Sequence, residues 1–347
     1  LKTETNFQAG MKACGIGSFP HLNAEEALAL ILSNFADIPF WCQLPQRSLL
    51  ESMNLMFVEH LPGLAIRQDK LFVDTGDAFM RQVERFYEHI LADDVEYFAL
   101  NESFCQGFYG LLDHSPQLNN IYAVKGQVTG PFTLGMSITD RELKPIIYHP
   151  ILADVLVKLV VMVARFQAKL LSGISERVLI FLDEPYLSAY GTSIFAVQRE
   201  EIISRLAEIY QTEKIIWGTH CCSNTDWSLL IDAGVDIISL DAYQYAENLS
   251  LYTAKMQEFF GRGGMVAWGV VPTFNERIDR ETVESLSARL ENCIELLASR
   301  GIEREMIAGA SLITPSCGMG LQSLERAKKI AEITAELSGR MRDKYKL

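Results

Sequence analysis

The sequence predicts an α/β protein folded as a (β/α)8 TIM barrel, and three observations predict it. Eight short apolar runs rich in β-branched residues recur along the 347 residues. Stretches with helical periodicity separate most of them, and this alternation is the mark of a parallel sheet. The runs are also apolar almost throughout, as strands buried on both faces must be. Eight repeats of the unit point to closure into a barrel. An open doubly wound sheet is the alternative arrangement.

The elements follow in order. The runs are ACGIGSFP (13–20), IPFWCQLP (38–45), IYAVKGQVTGP (121–131), RVLIFLDEP (177–185), KIIWGTHC (214–221), VDIISLDAY (235–243), GMVAWGVVP (264–272) and MIAGASLITPS (306–316). A helix is expected over 24–35, behind Asn23 as its N-cap. Apolar residues at i, i+3, i+4 spacing predict further helices over 151–171, 197–210, 226–234, 281–301 and 323–338. Gly234 and Gly301 stand where helix C-terminal caps belong. The stretch 46–120 breaks the rhythm because it is too long for one helix. It holds a hairpin-like piece, LAIRQDKLFVD, and a helical piece, FMRQVERFYEHIL. It reads as an insertion after the second strand that roofs part of the barrel mouth. No Ser/Gly/Pro-rich linker appears, so residues 1–347 read as a single domain.

Composition narrows the function. The net charge of −13 disfavours phosphate backbones, so nucleic acid is not an expected partner. The longest apolar segment, 151–166, is broken by Asp154, Lys158 and Arg165, so no membrane span is expected. The first residues, LKTETNFQAGMK, lack the layout of a signal peptide, and the default location is cytoplasmic. The seven cysteines are odd in number, which predicts free or metal-bound thiols rather than a disulfide framework.

In a barrel, chemistry gathers at the C-terminal ends of the strands. The runs end in Gly17-Ser18-Phe19-Pro20-His21, Gln43, Gln127 with Thr129 and Gly130, Asp183-Glu184, His220-Cys221-Cys222, Asp241 with Tyr243, Trp268 with Thr273, and Thr314 with Cys317. In an extended chain, residues two apart face the same way, so His220 and Cys222 face together and Cys221 faces away. An imidazole and a thiolate are natural zinc ligands. Cys317 supplies a candidate third ligand and Asp241 a fourth. A mixed nitrogen and sulfur set selects Zn2+ over magnesium or calcium. Buried small hydrophobes are the bland reading of the same cysteines. Asp183 and Glu184, adjacent carboxylates at a strand end, are candidates for acid–base chemistry or for binding an ammonium group. A helix cap or a pair with arginine is the bland reading there. Ser18 is a candidate for a substrate carboxylate, or a turn cap. Trp217, Trp268, Phe104, Phe108 and Tyr109 either line a cofactor cavity or belong to the core.

Taken in order, GIGSFPH, QVTGPFTLG, FLDEPYLSAYG, GTHCCSNTDW, GVDIISLDAY and TPSCGMG resemble the catalytic half of cobalamin-independent methionine synthase. More broadly, they resemble the superfamily it shares with uroporphyrinogen decarboxylase and the coenzyme M methyltransferases. The resemblance spans about residues 10–340 and implies the barrel reached independently above. It implies zinc on His220, Cys222, Asp241 and Cys317, and a substrate thiol bound to that zinc as a thiolate. It places Asp183 at the ammonium of the substrate, and Ile16 and Ser18 at its amino-acid backbone.

Three departures stand out. The zinc carboxylate of that family is glutamate, and here the candidate is Asp241. A glutamate that helps hold the amine is matched by Gln43. A tryptophan that stacks on folate is matched by Ser137. The implied enzyme is a zinc-dependent methyltransferase acting on homocysteine or a related small thiol. Its expected methyl donor is methylcobalamin, or a corrinoid protein as a separate partner. Two other readings stand beside it. One is a lyase of the uroporphyrinogen decarboxylase type, which would want arginines near the first strand. The other is a non-catalytic protein that binds a metal or a corrinoid.

Overall fold

Strands with no polar face need apolar cover on both sides, and the computed structural model supplies it with two separate clusters. The structure describes residues 7–67 and 70–347. Residues 1–6, and 68–69 within the expected hairpin-like piece, lie outside the described residues.

The chain opens with an extended segment and helix α1 (Ala24–Asn34), capped by the Asn23 side chain on Glu25 N. A second extended segment leads into 46–120. There, β1 (Leu64–Arg67) and β2 (Lys70–Val73) pair antiparallel, as the hairpin-like piece predicts. Helices α2 (Phe79–Leu91) and α3 (Gln106–His114) follow. Then come β3 (Val124–Thr129), α4 (Pro131–Ser137), the two-residue β4 (Thr139–Asp140), α5 (Pro150–Leu171), β5 (Val178–Asp183) and α6 (Arg199–Tyr210). The rest runs through β6 (Ile216–Cys221), α7 (Trp227–Ala233), β7 (Ile237–Leu240), α8 (Ala242–Leu249) and α9 (Thr253–Gly261). It ends with β8 (Met265–Val271), α10 (Val283–Ala298), α11 (Arg304–Gly309), β9 (Ser311–Pro315) and α12 (Leu324–Tyr345).

Six strands form one parallel sheet in the order β3-β5-β6-β7-β8-β9. The sheet curls, and its two faces carry different clusters. On β5, Leu179 and Phe181 belong to a small inner cluster with Ile216, Ile237, Met265 and Leu312. Val178, Ile180 and Leu182 belong to the large outer cluster beneath the helices. Alternation at period two thus survives in a strand with no polar face, as pleating requires. Each large side chain buried this way contributes about 1.5–3 kcal/mol.

The runs 13–20 and 38–45 do not form regular strands. They carry isolated parallel bridges instead: Ala13 to Ile313 of β9, Ser18 to Gln43, and Phe40 to Lys125 of β3. Cys14 and Ile38 join the inner cluster. The bridges therefore lead from one edge of the sheet to the other through the two segments. Trp217 and Trp268 lie fully buried in the outer cluster, so they are core residues and not cavity lining.

The stretch 46–120 touches the sheet at the C-terminal end of β3. Thr129 Oγ1 donates to the Met53 carbonyl at 2.7 Å. The buried Glu51 carboxylate accepts from Leu44 N at 2.8 Å and pairs with Arg47. β2 also pairs in parallel with β4, making a three-stranded sheet β1-β2-β4.

Candidate metal centre

His220 sits near the C-terminal end of β6, beside Asp183 of β5 in the parallel register. Two positions before it on the same face is Gly218. A Cβ there would come within 2.4 Å of the Phe181 ring, so only a glycine leaves that ring its place beside β6. Cys222 follows His220 on the same face. Cys221 faces the outer core, where burial pushes its thiol up to about 12 and makes it inert. Cys317 follows β9. One nitrogen of His220 and the sulfurs of Cys222 and Cys317 all lie within 4.8 Å of one another.

The electrostatics prepare these groups as ligands. Burial, helped by Lys125, holds the His220 imidazole down at about 3, so the ring is neutral near pH 7. His220 Nδ1 lies 3.0 Å from Ser239 Oγ, and Nε2 is buried without a hydrogen-bond partner. A hydrogen bond with Cys317 draws the Cys222 thiol down to about 7, against the opposing effect of burial. Cys317 moves the opposite way, chiefly because of that same bond. The bond between the two sulfurs thus moves their thiols in opposite directions. A bare imidazole nitrogen and two close sulfurs, one poised as thiolate, make a donor set suited to zinc. Bonds of about 2.0–2.3 Å to a common ion fit groups this close with little rearrangement.

Asp241 lies outside this cluster. Its side chain caps α8, accepting from Gln244 N at 3.0 Å and from Gln244 Nε2 at 2.7 Å. Burial raises its carboxyl, and the Gln244 bonds partly offset that. In this arrangement the aspartate is committed to its own helix.

Asp183 and Glu184 point opposite ways, as neighbours in a strand must. Glu184 is fully buried and accepts from Phe132 N at 2.9 Å, Thr133 N at 2.8 Å and Thr133 Oγ1 at 2.6 Å. These are donors of the first turn of α4, so the carboxylate caps that helix and does not face the cluster. Gly130 belongs to the same fit, since a Cβ there would meet Glu184 Oε1 at 2.1 Å. Asp183 turns inward. Burial pushes its carboxyl up to about 7, opposed by Lys125, and its Oδ1 is buried with no hydrogen-bond partner.

Ser18 Oγ accepts from Gly320 N at 3.2 Å, and Ser18 O accepts from Met319 N at 2.8 Å. These bonds pin the turn that carries Cys317. Gln43 pairs with Gly17 and Phe19 through its backbone, and its Nε2 reaches Met56 Sδ at 3.2 Å. The Ile16 carbonyl accepts from Lys125 Nζ at 2.6 Å. Lys125, fully buried in β3, also donates to Gln127 Oε1 at 3.1 Å and lies over the Phe181 ring. Sequence reading passed over it, although a lone lysine inside a buried run was the available signal. It passed over Ser239 as well, because serine in a strand carries no signal of its own.

Solved structures provide the comparison. A B12-independent methionine synthase from Shewanella sp. W3-18-1, in complex with selenomethionine, matches with a TM-score of 0.59 at 18% identity. The match covers 97% of this chain and 99% of that one. This chain shares the fold of B12-independent methionine synthase. A putative vitamin-B12-independent methionine synthase from Listeria monocytogenes matches with a TM-score of 0.54 at 10% identity, over 98% of this chain and 99% of that one. A methyltransferase from Methanosarcina mazei gives 0.52 at 12% identity, over 97% and 95%. The structural neighbours are thus methionine synthase-like, as the motifs led one to expect. No protein-family model matches the sequence, and no curated protein does. Among the described residues, no helix is long and apolar enough to cross a membrane.

Proposed function

We propose that this protein is a zinc-dependent methyltransferase that activates a small thiol, on a (β/α)8 barrel partly roofed by residues 46–120. The observation that carries the reading is the convergence of His220, Cys222 and Cys317, with His220 Nε2 buried and unpartnered. Bound zinc supplies Lewis acidity that lowers the pKa of a thiol and presents it as the thiolate nucleophile. The protein's own groups do the rest. His220 enters neutral, so it gives up no proton on ligation. Gly218 leaves Phe181 its place beside β6, and the turn held by Ser18 presents Cys317. Asp183, with a free oxygen at the buried end of β5, is proposed to take the ammonium of an amino-acid thiol such as homocysteine. Gln43 lines the same end through a neutral amide. Asp241 would become a fourth ligand only by releasing Gln244.

The proposed methyl donor is methylcobalamin or a methylated corrinoid protein, because Ser137 stands where a folate-stacking tryptophan is expected. The names of two neighbours, B12-independent enzymes, argue for a different donor. Assays with methylcobalamin and with methylated folate, each against homocysteine, separate the two. The enzyme reading is tested by Cys317→Ala, which should lower zinc content and abolish thioether formation. Full zinc occupancy in that variant would refute the ligand assignment.

A further inference from the structure

An imidazole that ligates through one nitrogen is oriented by the hydrogen bond its other nitrogen makes. The parallel register of β6 and β7 sets His220 directly beside Ser239. Both residues are buried, and Ser239 Oγ lies 3.0 Å from His220 Nδ1. On its other side Ser239 pairs with Ala267 of β8, which offers no competing polar side chain. His220 Nε2 is buried with no partner of its own.

A neutral ring carries one proton. With the proton on Nδ1, that N–H donates to Ser239 Oγ, and the buried Nε2 keeps its lone pair free to ligate. With the proton on Nε2, a buried N–H would stand without an acceptor, at a cost of about 1–3 kcal/mol. We propose that Ser239 is a positioning residue. It accepts the His220 Nδ1–H bond, fixes the tautomer and turns the Nε2 lone pair toward Cys222 and Cys317. The inference rests on the zinc reading above but concerns a residue outside the ligand set.

The test uses the full chain stripped of metal by a chelator. Zinc affinity is measured by competition with a chromogenic chelator for the wild type, Ser239→Ala and Ser239→Thr. Loss of the hydroxyl should weaken binding about 10–100-fold, the range for removing such a partner. Ser239→Thr, which keeps an Oγ, should recover most of that loss. Equal affinity in Ser239→Ala and wild type would overturn the proposal. A second measurement does not depend on the variants folding. Nitrogen-15 NMR of the metal-free wild type should show His220 protonated on Nδ1, the signal being assigned by its loss in His220→Gln. Protonation on Nε2 would overturn the proposal. A wild type that binds no zinc would sink the metal reading, and the tautomer measurement would still decide the role of Ser239.

Discussion

His220 and Cys317 bring a nitrogen and a sulfur within 4.8 Å of one another, although one lies in β6 and the other follows β9. Two intervening strands, β7 and β8, separate them in the sheet. The contact is therefore made across the curl of the sheet, and local sequence does not produce it. A site of this kind depends on the neighbours that hold its members in place.

Gly218 gives the first prediction. Gly218→Ala drives a methyl group against the Phe181 ring, at 2.4 Å before any adjustment. Overpacking of this kind should cost about 1–3 kcal/mol. Zinc affinity should fall with it, because Gly218 lies two residues before His220 on the same face of β6. Adding Phe181→Leu should restore part of both losses. Urea unfolding and chelator competition on the single and double variants check this.

Glu184 gives the second. It is the acceptor for three donors at the start of α4, so Glu184→Ala strands two buried backbone N–H groups and a hydroxyl. The expected loss is about 3 kcal/mol of stability, with zinc stoichiometry unchanged. Unchanged stability with lost zinc would place this residue in the centre instead.

The third prediction concerns pH. Burial raises the Asp183 carboxyl from 3.8 to about 7. The folded state then keeps a proton that the unfolded chain has released, so this group's contribution to stability is lost as pH rises from about 4 to about 7. His220 runs the other way. Its value falls from 6.5 to about 3, so stability is gained as pH rises through that window. In metal-free protein, Asp183→Asn removes one falling contribution, so the stability of the variant should rise relative to wild type between pH 4 and 7. Denaturant midpoints across that range test it, and an identical pH profile for variant and wild type would contradict it.

Much of the fold was legible because it follows from period and punctuation. Asn23 announced α1, Gly234 closed α7, and the runs ending in Asp183 and His220 became β5 and β6. The runs at 13–20 and 38–45 were legible as extended chain but not as bridged segments, since pairing register depends on partners remote in sequence. The candidate cluster was readable in part. The spacing of His220 and Cys222 encodes a shared face, and Cys317 stood out by residue type. Asp241 was open to two readings, because an aspartate before a helix is equally a cap, and here its side chain caps α8. Lys125 and Ser239 gained significance only from their neighbours, Ile16 and His220.

The most direct measurement is zinc-edge X-ray absorption on the purified full chain loaded with one equivalent of zinc. The account predicts two sulfur scatterers at about 2.3 Å and at least one nitrogen at about 2.0 Å, with a third sulfur appearing when the thiol substrate is added. A spectrum with only oxygen and nitrogen neighbours, unchanged by the thiol, would contradict it.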